Sequence, residues 1–245
     1  MTALPSDDSI ACKPNHRGEA SGSSIQSAAR PQRLVLMGTG PFAVPSFEAL
    51  RKAGHEIALV ITRPQPLVKS RKGPPSAPVR DWADGHGLDL FAPESINDPE
   101  SVSRVAGQHA NLLVVCDYGQ ILKTPALETA SLGGINLHGS LLPKYRGAAP
   151  VQCALLSGEL VTGVSVIHMT PRLDGGPIIT LRETEITQNE TSGELEERLA
   201  MLGVNATLEA VGMLSDWDGL SVLGTLQDPA AITKAPRLRK SDADI

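Results

Sequence analysis

A doubly wound, mainly parallel α/β sheet is the fold predicted by this sequence of 245 residues. Three observations carry that expectation. Short apolar runs alternate with helical patterns along the chain, the rhythm of strand–helix–strand crossovers. The run Leu112–Cys116 is apolar at every position, as a strand covered on both faces requires. A Gly38-x-Gly40 turn joins the first strand to the first helix, where the backbone must bend tightly.

Residues 1–32 are rich in Ser, Ala, Asp and Gly, show no periodicity and are expected to form a disordered tail. Arg33–Met37 reads as the first strand. Gly38–Ala43 follows, then a helix to about Ala53 that turns Phe47 and Leu50 inward. The spacing G-x-G-x-x-A is that of a dinucleotide fingerprint. The second strand, Glu56–Thr62, nevertheless ends in Thr62–Arg63–Pro64, where an NAD enzyme needs an acid for its ribose. The glycines are therefore expected to serve a tight turn. Residues 64–78 form a proline-rich loop carrying Lys69, Arg71 and Lys72. A solvated loop and a polyanion contact are both open to it.

Next come a helix over Val79–His86, a strand over Leu88–Ala92 and a loop from Pro93–Glu94. His86 and His109 stand among polar residues near helix ends and are expected to be exposed. After Leu112–Cys116, the residues Asp117–Tyr118–Gly119–Gln120 lie at the carboxyl end of a central strand, where open α/β sheets hold ligands. A strand starts near Gly134, and a helix is expected from Ala148 to Ser157. Gly163–Met169 alternates as a strand, and core, surface and pocket are all open to His168. A loop over Arg172–Pro177, a strand over Ile178–Thr184 and a helix over Ser192–Ser215 follow. That helix gathers Leu195, Leu199, Leu202, Ala206 and Ala210 on one side. Leu220–Leu226 is expected as a short strand and the remainder as an extended linker.

Composition removes several classes of function. The net charge of −5 argues against a surface that binds nucleic acid as a whole, although a local basic patch is compatible with it. No run of eighteen apolar residues spans a membrane, and the first residues lack a secretory pattern. Cys12, Cys116 and Cys153 are too scattered for a disulfide framework or a zinc site, so a reducing cytoplasm and no metal are expected.

The chemistry concentrates in Ile135–Pro150, which reads INLHGSLLPKYRGAAP. Asn136 and His138 are two apart on a strand and share a face. An amide that donates beside an imidazole that moves protons suits carbonyl chemistry. Asp174, in a loop with two glycines, is placed to bring a carboxylate to the imidazole. A satisfied core histidine and a turn-forming aspartate are the bland reading of the same residues. No nucleophile elbow is present, so direct attack on a carbonyl fits better than a covalent enzyme intermediate.

The N-x-H pair, the run SLLPKYRGAAP, the strand TGVSV and DGGP together resemble the formyltransferases that use 10-formyltetrahydrofolate. The similarity runs from about Arg33 to Ile245. It is strongest to the branch that formylates initiator methionyl-tRNA, through VLMGTGPFAVPSFEAL, RGAAPVQ and TKAPRL. The resemblance implies a Rossmann-like domain over 33–218, acting as a monomer, with Asn136, His138 and Asp174 catalytic. It implies that tetrahydrofolate lies against Ser140, Leu141, Leu142 and Pro143, with backbone from Phe91 to Glu94 and from Val115 through Tyr118 and Gly119 to Gln120. Lys69, Arg71, Lys72 and Arg146 become candidates for gripping tRNA. Members of that branch continue into a C-terminal β-barrel that helps hold tRNA. Residues 219–245 are accordingly expected as a linker toward an absent domain, with weak tRNA binding.

Four other readings compete. Phosphoribosylglycinamide formyltransferases share DGGP but lack the RGAAP continuation. Sugar-amine formyltransferases carry similar runs, often with Arg where Ala148 stands. A member that binds folate without catalysis is at odds with the intact trio. A dinucleotide-dependent oxidoreductase is disfavoured by Thr62–Arg63.

Overall fold

The computed structural model describes residues 30–65, 76–239 and 242. Strands β1 (Arg33–Gly38), β2 (Glu56–Ile61), β3 (Leu90–Phe91), β4 (Leu112–Cys116) and β5 (Gly134–His138) precede the short β6 (Arg146–Gly147), β7 (Val161–His168), β8 (Ile178–Glu185) and the short β9 (Lys234–Ala235). Helices α1 (Val44–Lys52), α2 (Pro78–Gly85), α3 (Pro99–Ala106), α4 (Thr124–Leu127), α5 (Pro150–Leu156) and α6 (Ser192–Ser215) connect them. Seven strands form one sheet in the order β3-β2-β1-β4-β5-β7-β8. The first five are mutually parallel, and β7 and β8 add on antiparallel. The doubly wound, mainly parallel sheet is thus as the sequence predicts.

Both faces of the sheet are covered, which is why its central strands read as unbroken apolar runs. Leu34, Leu36, Leu112, Val114 and Cys116 enter one core layer, with Phe47 and Leu50 of α1 and with Leu195 and Leu199 of α6. Val35, Met37, Leu113 and Val115 enter the opposite layer with Ile96, Val105 and Leu127. A capping box starts α6: Glu194 N–H donates to Thr191 Oγ1, and Thr191 N–H donates to Glu194 Oε2. Two orphan amides of a 24-residue helix are satisfied there.

Several expectations need correction. The strand expected over Leu88–Ala92 shrinks to Leu90–Phe91. The helix expected from Ala148 starts at Pro150, because Ala149 lies outside the helical backbone region at φ −137° and ψ 54°. The strand expected over Leu220–Leu226 reduces to one bridge between Thr225 and Ile178. The sequence analysis gives no range to α3, implied only by a helix end near His109, or to α4. Residues 1–29 and the loop bearing Lys69, Arg71 and Lys72 lie outside the described residues. No described helix is long and apolar enough to cross a membrane.

Chain order reverses between β1 and β4, and the carboxyl ends of those strands, Gly38 and Cys116, lie side by side. Open α/β sheets bind ligands in the crevice such a reversal leaves. Phe42, just after β1, and Asp117, just after β4, both line a cavity there.

At the opposite edge of the core, buried His55 accepts the Gln32 amide on Nδ1 at 3.1 Å, and burial holds its titration below the ordinary histidine range. Below about pH 6.5 the unfolded chain takes a proton that the folded ring resists, so stability falls with pH until the folded ring also titrates. His55→Asn keeps an acceptor and removes the titration. Its loss of urea stability between about pH 7.5 and about pH 5.5 is expected to be smaller than the parent's. Equal losses would refute this.

Candidate active site

The site is built on the end of β5. Ile135 and Leu137 pack into the core layer shared with α6, so the alternate residues Asn136 and His138 face the other way. Both line a cavity of about 410 Å³ at the carboxyl end of the sheet. Asp174 reaches the same cavity from the loop between β7 and β8, held in the left-handed backbone region at φ 46°.

The three side chains meet. His138 Nδ1 lies 3.8 Å from Asp174 Oδ2, and Asn136 Nδ2 makes a long 3.5 Å contact with Asp174 Oδ1. Both members of the His–Asp pair are largely buried, with side chains 6% and 9% exposed. Gly147 N–H donates to Asp174 Oδ2 at 2.9 Å and fixes the carboxylate. His138 Nε2 lies 2.8 Å from the carbonyl oxygen of Tyr145. A carbonyl only accepts, so Nε2 carries the hydrogen and donates it. Nδ1 is the nitrogen turned toward Asp174, and in the neutral form of the ring it is the one free to take a proton. A proton taken there forms an imidazolium beside a carboxylate in a poorly hydrated site, where that attraction is strong. The Asn136 amide, only weakly engaged by Asp174, keeps donor capacity for a carbonyl oxygen in the cavity.

Val115, Tyr118 and Gly119 line the cavity, with Gln120 beside them. Gln120 ties this wall to the Pro93–Glu94 loop: Ile96 N–H donates to its Oε1, and its Nε2 donates to Pro93 O and Glu94 O. Phe91 is not brought to the cavity; its ring lies 4.2 Å beneath the Arg104 guanidinium. Ser140, Leu141, Leu142 and Pro143 also stay away from it. Ser140 Oγ donates to Lys144 O, Ser165 Oγ donates to Ser140 O, and Leu142 N–H donates to Ser165 Oγ. The turn is thus bound to β7 through Ser165. Arg146 is half-buried and engaged by Gln227. His168 packs edge-on against Trp217 at 5.1 Å, outside the cavity, and His86 and His109 are exposed.

Asp117, which the sequence places on the ligand side only as part of the run to Gln120, and Glu196, which the sequence analysis does not single out, line the same cavity. Burial raises the Asp117 carboxyl, while its hydrogen bond from the Gly40 amide lowers it. Glu196 is raised by burial and then by Asp117. A Cβ on Gly40 would stand 2.2 Å from Asp117 Oδ2. The second glycine of the Gly38–Ala43 turn is thus needed because a carboxylate of the chain itself presses on it. Asp117 had a signal, its place at the carboxyl end of a central strand. Glu196 sits in an acidic pair on a helix and looks solvated. Among the described residues no group of His, Cys, Asp and Glu has the arrangement of a metal site.

Comparison with known proteins adds the following. The profile of the formyl transferase family matches residues 32–211. The methionyl-tRNA formyltransferase of Rhodopirellula baltica is 64% identical over 220 residues, covering 87% of this chain and 66% of that protein. The protein of the same name from Methylococcus capsulatus is 41% identical over 213 residues, covering 86% of this chain and 68% of its own. The chain spans about two thirds of the length of these curated relatives. Among solved structures, glycinamide ribonucleotide transformylase 1 from Symbiobacterium toebii aligns with a TM-score of 0.64 at 22% identity, over 78% of this chain and 90% of that one. An N-formyltransferase from Helicobacter canadensis in complex with folinic acid and dTDP-3-aminofucose aligns at 0.61 and 19%, over 84% and 71%. At such identities these two structures speak for the fold.

Proposed function

The chain belongs to the formyl transferase family and, within it, to the methionyl-tRNA formyltransferases, and on that premise we propose that it moves a formyl group from 10-formyltetrahydrofolate to the α-amine of methionyl initiator tRNA. The observation that carries this reading is the convergence of Asn136, His138 and Asp174 at one cavity, with Nε2 of His138 engaged by the Tyr145 carbonyl and Nδ1 turned toward Asp174.

The folate supplies an activated formyl carbon and departs as an amine. Asn136 donates to the formyl oxygen as negative charge builds on it, a stabilisation that works best in a dry, preorganised site. His138 receives a proton at Nδ1 from the attacking amine and returns it to the departing nitrogen. Asp174, fixed by the Gly147 amide, stabilises the ring while it carries that charge. The folate-facing wall is assigned to Val115, Tyr118, Gly119 and Gln120, an apolar and backbone-rich surface suited to a flat heterocycle. Lys69, Arg71 and Lys72 are assigned to the tRNA phosphates, and residues 33–218 to the catalytic domain. Arg146 fits a supporting role better than a phosphate contact, since Gln227 holds its Nε and Nη2.

The test is transfer from 10-formyltetrahydrofolate to charged initiator methionyl-tRNA, run beside His138→Ala and with an amino-sugar nucleotide as alternative acceptor. Transfer to the tRNA that vanishes in the variant is the expected result. Formylation of the amino sugar alone would move the chain to the sugar-amine branch. Silence on both acceptors with folate still bound would leave a binding protein and end the proposal.

A further inference from the structure

The stretch from Thr225 to Ala235, which the sequence offers only as the start of a linker, is threaded between the two loops that hold the Asp174 carboxylate. Thr225 exchanges amide and carbonyl hydrogen bonds with Ile178 on one side. On the other, Lys234–Ala235 pairs in parallel with Arg146–Gly147, and Thr233 O accepts the Arg146 amide. Between these anchors lies Gln227. Its Oε1 accepts from Arg146 Nη2 at 2.7 Å and Nε at 3.1 Å. Its Nε2 donates to Asp174 O at 2.8 Å and Gly176 O at 2.7 Å.

Every partner fixes the orientation of this carboxamide. Flipped, it would set N–H against a guanidinium and oxygen against two carbonyls. The loop it grips needs holding, because Asp174 itself sits at φ 46°, a region a non-glycine residue occupies at a cost. The loop it grips on the other side supplies the Gly147 amide to Asp174 Oδ2. One side chain therefore bonds the backbone of Asp174 and the residue that precedes the carboxylate's amide donor.

We infer that Gln227 is a positioning residue for the formyl transfer: it locks the Arg146–Gly147 strand against the Asp174–Gly176 loop, and so sets the carboxylate that faces His138. The inference rests on the reading of Asp174 as the group that supports His138 during transfer. It also makes the segment after α6 part of the site's scaffold. The bland alternative is that Gln227 merely tethers this segment through Arg146.

Gln227→Glu separates the two, because a carboxylate still accepts from Arg146 but cannot donate to Asp174 O or Gly176 O. With the full chain, Gln227→Ala and Gln227→Glu are both expected to lower kcat on the order of tenfold, as loss of the two hydrogen bonds to the Asp174–Gly176 loop, common to both variants, permits. KM for each substrate should stay within about twofold, since Gln227 is not among the residues that line the cavity. Deuterium exchange of the peptide containing Arg146–Gly147 should quicken in both variants. A Gln227→Glu protein with parental kcat and parental exchange would overturn the inference in favour of the tether. So would a loss confined to KM. Asp174→Ala is measured alongside. If it retains full activity, the reading of Asp174 fails, and the exchange data still decide whether Gln227 locks the loop: unchanged exchange in both Gln227 variants refutes it.

Discussion

Single-turnover formyl transfer is expected to fall by about 10² to 10⁴ in His138→Ala and by about 10² to 10³ in Asn136→Ala, the ranges found when a positioned proton carrier or an oxyanion donor is removed. Folate affinity should change little, because the wall assigned to the heterocycle comes from Val115 and the Tyr118–Gln120 segment. His138→Ala also frees the Tyr145 carbonyl, whose residue sits at φ 61°, so part of its loss has a structural origin. His138→Gln meets that objection. A carboxamide can donate to Tyr145 O as Nε2 does, yet it carries no proton between amines. It should be as slow as the alanine variant. The double variant Asn136→Ala/His138→Ala should lose far less than the product of the single effects, since the two groups serve one transition state. A His138→Gln protein with more than about a tenth of the parental rate would show that the ring positions rather than moves protons, and the mechanism would have to be abandoned.

The parts of this molecule that were legible in its sequence are those fixed by local periodicity. Leu112–Cys116 announces a two-sided central strand, and Leu195, Leu199, Ala206 and Ala210 announce the buried stripe of α6. Asn136 and His138 were legible as a pair because strand residues two apart share a face and the strand ends there. Helix α3 was not, since its eight residues carry one well-buried apolar side chain, Val105. The site extends beyond the pair through contacts between distant residues, and these leave no local trace. Gln227 reaches Asp174 across 53 positions, and Glu196 faces Asp117 only because α6 crosses the sheet. The contacts of the Ser140–Pro143 turn are hidden from the sequence for a related reason. Polar and flexible on paper, it finds its partners in Ser165 of the neighbouring strand and not in the cavity. Phe91 is likewise drawn off by Arg104.

Two adjacent glycines, as in the Asp174 loop, allow both a sharp turn and a close approach of the backbone to a neighbour. Their surroundings divide those roles. A Cβ on Gly176 would stand 1.7 Å from the carbonyl oxygen of His168. The close approach is thus to the end of β7, where the His168 amide also donates to Pro177 O. Neither side of that contact can yield, because both are backbone within a paired strand end. A Cβ on Gly175 meets only the Arg172 side chain, at 2.7 Å, and that chain is long, exposed and able to swing away. Gly176→Ala is therefore expected to destabilise by about 3 kcal/mol or more in urea unfolding, at or above the upper end of ordinary overpacking, and Gly175→Ala by under about 1 kcal/mol. Activity should follow the same order. Moving Gly176 shifts the carbonyl that Gln227 holds and with it the Asp174 loop, whereas moving the Arg172 side chain leaves both in place. Equal stability losses in the two variants would mean that the loop relaxes away from β7 at little cost. Asp174 would then owe its position to Gly147 and Gln227 alone.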